Sequence, residues 1–244
     1  MTDNLFEKRI AELSDRAFQR GYNVFSEFLN LDEISTVKGL RLPASPLLYG
    51  GYENAERCVA GFGNDIKSGD FPIICIKISP LSQKFSDNIN HRDFLGALMN
   101  LGINRNTLGD IIVRENEGYL FCLESIGEYI TDNLSRIKHT SVQCCIIPPD
   151  AEIALPEPEI REHIVSSLRV DAVISSVYKL SRNAAFELFR QDKVFINSRE
   201  CRKGSALLRD GDVISVRGYG KFIYYETLRE TKKERTVIKI GVFV

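Results

Sequence analysis

The chain has 244 residues, of which 43% are apolar and 27% are charged, and its two charge signs nearly balance at a net charge of −1. This composition is typical of a globular protein that buries at least one sizeable core, and the length predicts two or three domains. No apolar run approaches the roughly 20 residues that a bilayer span needs, and the first residues lack a basic segment followed by an apolar one, so neither membrane insertion nor secretion is expected.

Charge is distributed unevenly along the chain. Residues 1–158 carry a net charge of −7, whereas residues 159–244 carry +6. A basic segment behind an acidic body indicates a module that meets polyanions. The six cysteines form no CxxC pair and lie mostly in apolar runs, which is typical of free thiols in a reducing cytoplasm.

The first part of the chain, residues 1–45, is predicted to be a helical segment. Apolar residues recur at helical spacing between Asn4 and Asn30, and Gly21 indicates a break between two helices. Prolines and a Gly-Gly pair then interrupt the pattern, so the first domain boundary is placed near residue 45.

Residues 46–158 are predicted to form a middle domain. Its elements are, in chain order, a buried strand at 71–79, a helix at 92–101, strands at 110–114 and 119–123 joined by a turn at 116–118, a helix at 125–137 and a strand at 141–147. This order is that of the ferredoxin-like, or RRM-like, βαββαβ fold. Such folds host many activities, so the order assigns no function. Pro148, Pro149, Pro156 and Pro158 predict a stiff linker behind it.

Residues 159–244 are predicted to form a C-terminal module of two short helices and a small sheet. The helices are expected at 171–180 and 182–191, and the strands at 193–197, 212–217, 222–226 and 236–243. The Ser181 hydroxyl is expected to cap the second helix. The whole chain is therefore assigned to the α+β class.

Four short motifs follow one another in this module. They are Arg169-Val170-Asp171, Ser181-Arg182, the basic and apolar strand Lys193–Asn197, and Gly211-Asp212. In this order they resemble the alpha-L RNA-binding domain, the S-four type module found in a ribosomal small-subunit protein and in many pseudouridine synthases. The resemblance implies that residues 169–221 bind structured RNA.

Further segments point to a more specific family. They are Tyr49–Arg57, His91–Gly96, Leu101–Arg105, Leu108–Ile111 and Arg217–Phe222. Together they resemble the YlmH family of bacterial RNA-binding proteins over nearly the whole chain. The resemblance implies a cytoplasmic protein that binds structured RNA of the large ribosomal subunit near transfer RNA. It also implies a role in ribosome-associated quality control of stalled nascent chains.

The predicted RNA-binding surface is centred on Arg182, in the first turn of the second C-terminal helix. A guanidinium group binds phosphate through a planar fork, and a helix N-terminus adds unpaired amides. A-form RNA presents phosphates and 2′-hydroxyls to such a surface, so recognition by shape is expected. The candidate contacts are Arg169, Ser181, Arg182, Arg190, Lys193, Asn197, Arg199, Arg202, Lys203, Arg217 and Lys221, with His91, Arg92 and Arg105 as a second group.

Structural roles compete with RNA contact at several of these positions. Each Arg or Lys taken singly is equally well read as a solvated surface charge, and the cluster favours RNA more strongly than any one member. An ion pair is favoured for Arg169 with Asp171, and a turn in the chain for Asn197.

At two further groups of residues, a structural role again competes with RNA contact. Asp93 is expected to cap a helix, and a structural role is also favoured for His91 and Arg92, with Arg105 treated in the same way. The rings of Tyr219, Phe222 and Tyr224 are candidates for stacking on unpaired bases, although alternating aromatic residues in a strand more often belong to a core.

The favoured function is that of a non-enzymatic RNA-binding adaptor that is monomeric when free and needs no cofactor. His139 and His163 have no partners at metal-ligand spacing, so no metal site is expected. One alternative is an RNA-modifying enzyme of the pseudouridine-synthase type, because those enzymes carry the same accessory module. Another is a protein-interaction scaffold that docks through its acidic N-terminal part.

Overall fold

The computed structural model describes residues 2–148 and 157–243, and the chain divides into two compact units, Met1–Leu155 and Pro156–Val244. Both units combine helices with antiparallel sheets, which confirms the predicted α+β class. Pro149 and Pro156 of the predicted linker lie outside the described residues. In the described part of the chain, no helix combines the length and the apolar character needed to cross a membrane.

The first unit begins with two helices packed on a three-stranded sheet. The elements are α1 (Thr2–Arg20), β1 (Val24–Leu29), α2 (Leu31–Gly39), β2 (Leu47–Tyr49) and β3 (Cys58–Phe62), with strand order β1-β3-β2. Buried Ile10 and Ala17 of α1 share a core with Ile34 of α2 and Phe62 of β3. This sheet therefore joins strands from both sides of residue 45.

The second helix predicted before Asn30 is wrong, because residues 24–29 form strand β1. Its side chains alternate between buried and half-buried positions, and aromatic and β-branched residues are well suited to such a half-covered sheet surface. The buried Ser26 hydroxyl accepts a hydrogen bond from the amide of Ala60 on the paired strand at 2.9 Å. Gly21, with a φ of +69°, follows the end of α1.

A larger, five-stranded antiparallel sheet completes the first unit. Its elements are β4 (Ile73–Pro80), α3 (His91–Asn100), β5 (Leu108–Arg114), β6 (Glu117–Leu123), α4 (Gly127–Asn133), β7 (Arg136–Ile137) and β8 (Thr140–Ile147), with strand order β5-β6-β4-β8-β7. Phe94, Leu98 and Ile130 of the two helices pack on one face of this sheet. On its other face, Phe28 and Val59 of the smaller sheet share a core with this sheet.

Two details of this sheet correct the sequence prediction. The β5–β6 turn lies at Glu115 and Asn116, both with positive φ, one position earlier than the predicted 116–118. The helix predicted to reach residue 137 ends at Asn133, and Ile137 instead pairs with Thr140 in a short hairpin. Lys138, with a φ of 52°, forms the turn of that hairpin.

The second unit consists of two short helices on a six-stranded antiparallel sheet. Its elements are β9 (Glu159–Val165), α5 (Val170–Val177), α6 (Arg182–Arg190), β10 (Val194–Ile196), β11 (Arg199–Glu200), β12 (Val213–Val216), β13 (Gly220–Glu230) and β14 (Thr236–Val242), with strand order β11-β10-β12-β13-β14-β9. Val173 and Leu188 of the helices share one core with Ile214, Phe222 and Ile240 of the sheet. The helices thus cover one face of the sheet.

Candidate nucleic-acid interface

A polar cleft lies beside α5 in the second unit, with a volume of about 570 Å³. It is lined by Ile164, Val165, Ser166, Ser167, Arg169, Asp171, Ala172, Ser175, Ser176, Arg182 and Arg235. Three arginines and four serines therefore line this pocket, which we call the α5 cleft. Guanidinium and hydroxyl donors in one concave site are suited to phosphate oxygens.

The three arginines come from three separate parts of the chain. Arg169 is the N-cap residue of α5, Arg182 is the first residue of α6, and Arg235 immediately precedes β14. Arg235 was missed by the sequence reasoning, although it belongs to a visibly basic stretch with Lys232 and Lys233. The return of the chain through the β13–β14 hairpin carries it to the cleft.

Arg182 is positioned by the cap of α6. The Ser181 hydroxyl accepts a hydrogen bond from the amide of Ala184 at 3.1 Å, which confirms the predicted cap. The first turn of α6 contains no acidic residue, so the positive end of the helix dipole is not offset locally. Neither Arg182 nor Arg235 forms an ion pair with a residue in the described ranges.

Arg169, unlike the other two arginines, forms an ion pair with Asp171, as the sequence predicted. Its Nε and Nη2 atoms donate to the two carboxylate oxygens of Asp171 at 3.1 and 2.6 Å. This fork hydrogen bond raises the pKa of Arg169 above its ordinary value. The Asp171 carboxylate partly neutralises one side of the α5 cleft, so Arg182 and Arg235 supply its main positive charge.

The loop after β11 lies alongside the start of α5. The amide of Asp171 donates to the carbonyl of Gly204 at 3.0 Å, so the backbone that follows Lys203 adjoins the start of α5. Other basic residues here are ion-paired: Arg202 with Glu200 and, at 3.4 Å, with Asp192, and Arg190 with Glu187 at 3.1 Å. Arg199 is exposed at the start of β11.

Asn197 turns the chain, as predicted. Asn197 and Ser198 have φ values of 50° and 60° and connect β10 to β11. The Asn197 amide group donates to Asp212 at 2.8 Å and accepts from the amide of Val213 at 2.9 Å. Its side chain is therefore engaged in the turn.

Arg217 and Lys221 lie on the sheet face opposite the helices. Lys221 is paired with Ser215, which is paired with Phe195, whereas their strand neighbours Ile214, Val216 and Phe222 face the helix-covered core. The Arg217 guanidinium lies 5.1 Å from the centre of the Phe195 ring, and the Lys221 ammonium 4.4 Å from that of Phe243. These two residues are thus separated from the α5 cleft by the sheet.

Lys193 approaches Arg217 through the backbone. The amide of Arg217 donates to the carbonyl of Lys193 at 2.9 Å.

Of the three aromatic residues proposed for base stacking, Phe222 and Tyr224 are buried in the core, at 0% and 1% exposure, while Tyr219 is 46% exposed. Only Tyr219 therefore remains a stacking candidate among these three.

The second candidate group lies in the first unit, around α3. The N-cap of this helix is Asn90, whose side chain accepts from the amides of Arg92 and Asp93. Asp93, the predicted capping residue, completes a capping box by accepting from the amide of Asn90 at 2.9 Å. It also pairs with Lys138 at 2.6 Å, and these contacts lower its pKa. Arg92 is exposed in the first turn.

Arg105 is half-buried and has Arg57, Asp110 and Glu56 nearby, whereas His91 is exposed at the start of α3. Arg105 Nη1 donates to the carbonyls of Leu108 at 2.7 Å and Gly109 at 3.3 Å. Burial and the neighbouring Arg57 lower the pKa of Arg105 to about 10. Burial, with Arg105 close by, also lowers the pKa of His91. The Arg105 side chain thus supports the backbone that leads into β5.

Asp110 joins two of the segments on which the family resemblance rested. Its carboxylate accepts from the Tyr52 hydroxyl at 2.8 Å and from the amides of Glu56 at 2.7 Å and Arg57 at 3.1 Å. Arg57 in turn donates from Nε to the carbonyl of Leu108 at 2.9 Å. Tyr49–Arg57 and Leu108–Ile111 therefore form one cluster, which we call the Asp110 network.

Comparisons with known proteins define the family. A family model described as "Putative RNA-binding domain in YlmH" matches residues 67–150. The chain is also similar to "Ribosome-associated protein quality control protein P2" of Bacillus subtilis (strain 168), with 30% identity over 190 residues that make up 76% of this chain and 73% of that protein. The chain belongs to the YlmH family. This confirms the family resemblance seen in the sequence.

The YlmH family model covers the five-stranded sheet with α3 and α4, and so includes His91, Arg105 and Asp110. The α5 cleft lies outside the matched residues, in the second unit. Among solved structures, "Cell division protein ylmH from Streptococcus pneumoniae" is similar at 22% identity and a TM-score of 0.47, over 61% of this chain and 92% of that one. Within residues 2–148 and 157–243, no three His, Cys, Asp or Glu side chains are grouped to hold a metal ion.

Proposed function

We propose that this YlmH-family protein is a non-enzymatic adaptor in the cytoplasm that binds structured RNA of the large ribosomal subunit. In this role it acts in the quality control of stalled nascent chains, with transfer RNA as a second partner. The family model carries an RNA-binding description, and the Bacillus subtilis relative is named for ribosome-associated quality control. The observation that carries the proposal is the meeting of Arg169, Arg182 and Arg235 in the α5 cleft.

The fold assignments made from the sequence belong to this proposal. We assign residues 46–158 to a ferredoxin-like, or RRM-like, domain, which the strand order β5-β6-β4-β8 supports. We assign residues 159–244 to an alpha-L module, which the capped α6 and the Asn197–Asp212 hydrogen bond support. Residues 1–45 are the N-terminal segment of this assignment, and their strand β1 pairs with β3 of the residues that follow.

The chemistry of the α5 cleft favours the backbone of folded RNA over a particular base. Arginine forks and serine hydroxyls donate to phosphate oxygens, and hydroxyls also exchange hydrogen bonds with the ribose 2′-OH. The cleft is open enough for a sugar–phosphate segment, and it contains one carboxylate, Asp171, that is already paired with Arg169. We also propose that the protein is monomeric when free.

Co-sedimentation with purified large ribosomal subunits tests the proposal. The double variant Arg182→Ala with Arg235→Ala removes two cleft charges, and we expect it to lose most of its association. The matched control is Arg161→Ala with Arg229→Ala, which removes two exposed charges of the same unit that are ion-paired with Glu159 and Glu162. Equal association of the two double variants, with both proteins folded, would remove the α5 cleft from the interface.

A further inference from the structure

Tyr219 occupies an unusual position at the turn between β12 and β13. The turn is formed by Gly218 and Gly220, with φ values of 83° and 113°, and by a hydrogen bond from the Tyr219 amide to the carbonyl of Val216 at 2.9 Å. These φ values suit glycine, so the glycines place the tyrosine at the tip of a tight turn. Its side chain is 46% exposed there.

The Tyr219 ring is supported from behind by other aromatic rings. Its centre lies 5.5 Å from that of Tyr178, at an interplanar angle of 48°, and Tyr178 lies 6.0 Å from the buried Phe222. Tilted aromatic pairs at these distances are attractive. Phe186 on α6 is also exposed, but among the described residues no aromatic ring lies against it.

The surroundings of Tyr219 carry positive charge. Arg217 and Lys221 flank the turn in sequence, with their side chains on the sheet face opposite the helices, and Lys193 adjoins the turn through the backbone hydrogen bond to Arg217. Tyr178 precedes Arg182 of the α5 cleft by four positions, which a chain spans in at most about 14 Å. An RNA strand bound at the Arg182 side of the cleft therefore has a supported aromatic ring within reach of nucleotides that extend towards Tyr178.

We infer that Tyr219 is a stacking platform for one unpaired base of the bound RNA. The inference rests on the proposed RNA-binding function. It adds the kind of nucleotide that Tyr219 would contact at the β12–β13 turn. Bases inside an A-form helix have both faces covered, whereas bases in loops and bulges stack on exposed aromatic side chains. The partner is then a helix with an adjoining unpaired nucleotide, and fully paired RNA lacks the group that Tyr219 contacts.

Two RNAs of equal length test the inference. One is a fully paired duplex, and the other is a hairpin with the same number of phosphates and an unpaired loop. Tyr219→Ala is expected to weaken binding of the hairpin by roughly 5- to 150-fold, the range for loss of one base–aromatic stack, and to leave duplex binding within about twofold. Tyr219→Phe keeps the ring and is expected to bind both RNAs as the wild type does.

A spectroscopic signal makes the test independent of affinity. The chain contains no tryptophan, so Tyr219→Trp introduces a single reporter whose fluorescence falls when a base stacks on it. Tyr22, in the first unit, has the same 46% exposure, and Tyr22→Trp is the matched control. We expect the hairpin to quench the reporter at 219 strongly and the duplex to quench it little, with no such difference at 22.

The outcomes separate the two proposals. If the wild type binds neither RNA, the proposed function and the stacking inference both fail. If the Arg182→Ala, Arg235→Ala variant loses binding while Tyr219→Ala binds the hairpin unchanged, stacking fails and the proposed function stands. Equal weakening of hairpin and duplex by Tyr219→Ala would also overturn stacking, since it would indicate a contact with the backbone.

Discussion

Asn197 and Asp212 are joined by a hydrogen bond of 2.8 Å from Asn197 Nδ2 to Asp212 Oδ1. These are the residues that end the Lys193–Asn197 and Gly211-Asp212 motifs, and the structure shows why both are polar. The other Asp212 oxygen accepts from the amide of Arg209 at 2.8 Å, and Asp212 is only 9% exposed. The pair thus fixes two loops of the C-terminal unit and has an architectural role.

Replacing Asn197 by Ala is therefore expected to destabilise the protein. The buried Asp212 carboxylate would lose a donor, which costs about 1–3 kcal/mol in the free energy of unfolding. Urea denaturation of the variant measures this loss. Asn133→Ala removes an exposed helix-end side chain and is expected to cost under about 0.5 kcal/mol. Unchanged stability of Asn197→Ala with weakened RNA binding would instead assign Asn197 to the interface.

Ser198 offers a stabilising substitution at the same turn. Asn197 and Ser198 both have positive φ, a conformation that favours glycine at the second position of a two-residue hairpin turn. Ser198→Gly is expected to raise the free energy of unfolding by roughly 0.3–1 kcal/mol, because relief of left-handed strain exceeds the added chain entropy. Ser141→Gly, in the extended strand β8, is the control and should lower it. A loss of stability in both variants would contradict the strain argument.

The sequence predicted those helices and strands that have a capping residue or a clear hydrophobic periodicity. Ser181 and the apolar face of α6 gave that helix nearly to its ends, and β4 was expected within two residues of its observed bounds. The apolar residues of strand β1, which lie on both sides of Ser26 and Glu27, fit helical spacing as well as a strand, because the segment has only six residues. Strand β9 was not predicted, because its exposed, charged residues are those of a sheet edge.

The candidate site was predictable only in part. Arg182 follows a recognisable cap, so its place at a helix start could be read from neighbouring residues. Arg235 reaches the same cleft because β13 and β14 pair from Phe222 to Glu230, and such a pairing is set by tertiary structure. The sheet also separates Arg217 and Lys221 from the cleft, since strand neighbours point to opposite faces. Sequence proximity alone could not distinguish these cases.

The salt dependence of RNA binding tests Arg235 separately. If its guanidinium contacts one phosphate, Arg235→Ala should lower the slope of log affinity against log salt by roughly 0.7–0.9. Arg229→Ala is the control, because Arg229 lies on the same hairpin and is paired with Glu162 at 2.9 Å. Fluorescence titration of a labelled RNA at several salt concentrations gives both slopes. An unchanged slope for Arg235→Ala would place Arg235 outside the RNA contact.

Tyr178 carries a buried hydroxyl without a hydrogen-bond partner among the described residues. Burial raises the pKa of this hydroxyl. Tyr178→Phe removes the unpaired group and keeps the ring against Tyr219, so it is expected to raise the free energy of unfolding, by up to about 1–3 kcal/mol. Tyr224→Phe is the matched control, because the buried Tyr224 hydroxyl is hydrogen-bonded to Thr227 at 2.9 Å. The free energy of unfolding of Tyr224→Phe should fall by about 1 kcal/mol. Equal effects of the two substitutions on thermal unfolding would show that Tyr178 has a partner in solution.

His163 makes the stability of the C-terminal unit sensitive to pH. Its Nδ1 atom lies 3.0 Å from the Ser176 hydroxyl, and burial, with Arg161 and Lys179 nearby, lowers its pKa below the ordinary 6.5. The folded protein therefore binds this proton less readily than the unfolded chain does. The contribution of His163 to the free energy of unfolding is therefore fully present above pH 6.5, and it is lost as the pH falls through the lowered pKa of the folded state.

We expect His163→Gln to remove this part of the pH dependence. The wild type and the variant should have parallel free energies of unfolding above pH 7, and the wild type should lose more stability between about pH 6.5 and 5. His91 also has a lowered pKa, but it is present in both proteins and cancels in the difference. Urea unfolding at a series of pH values measures that difference. If it stays constant across the window, His163 carries the same proton affinity in the folded and unfolded states, and its contact with Ser176 does not favour the neutral ring.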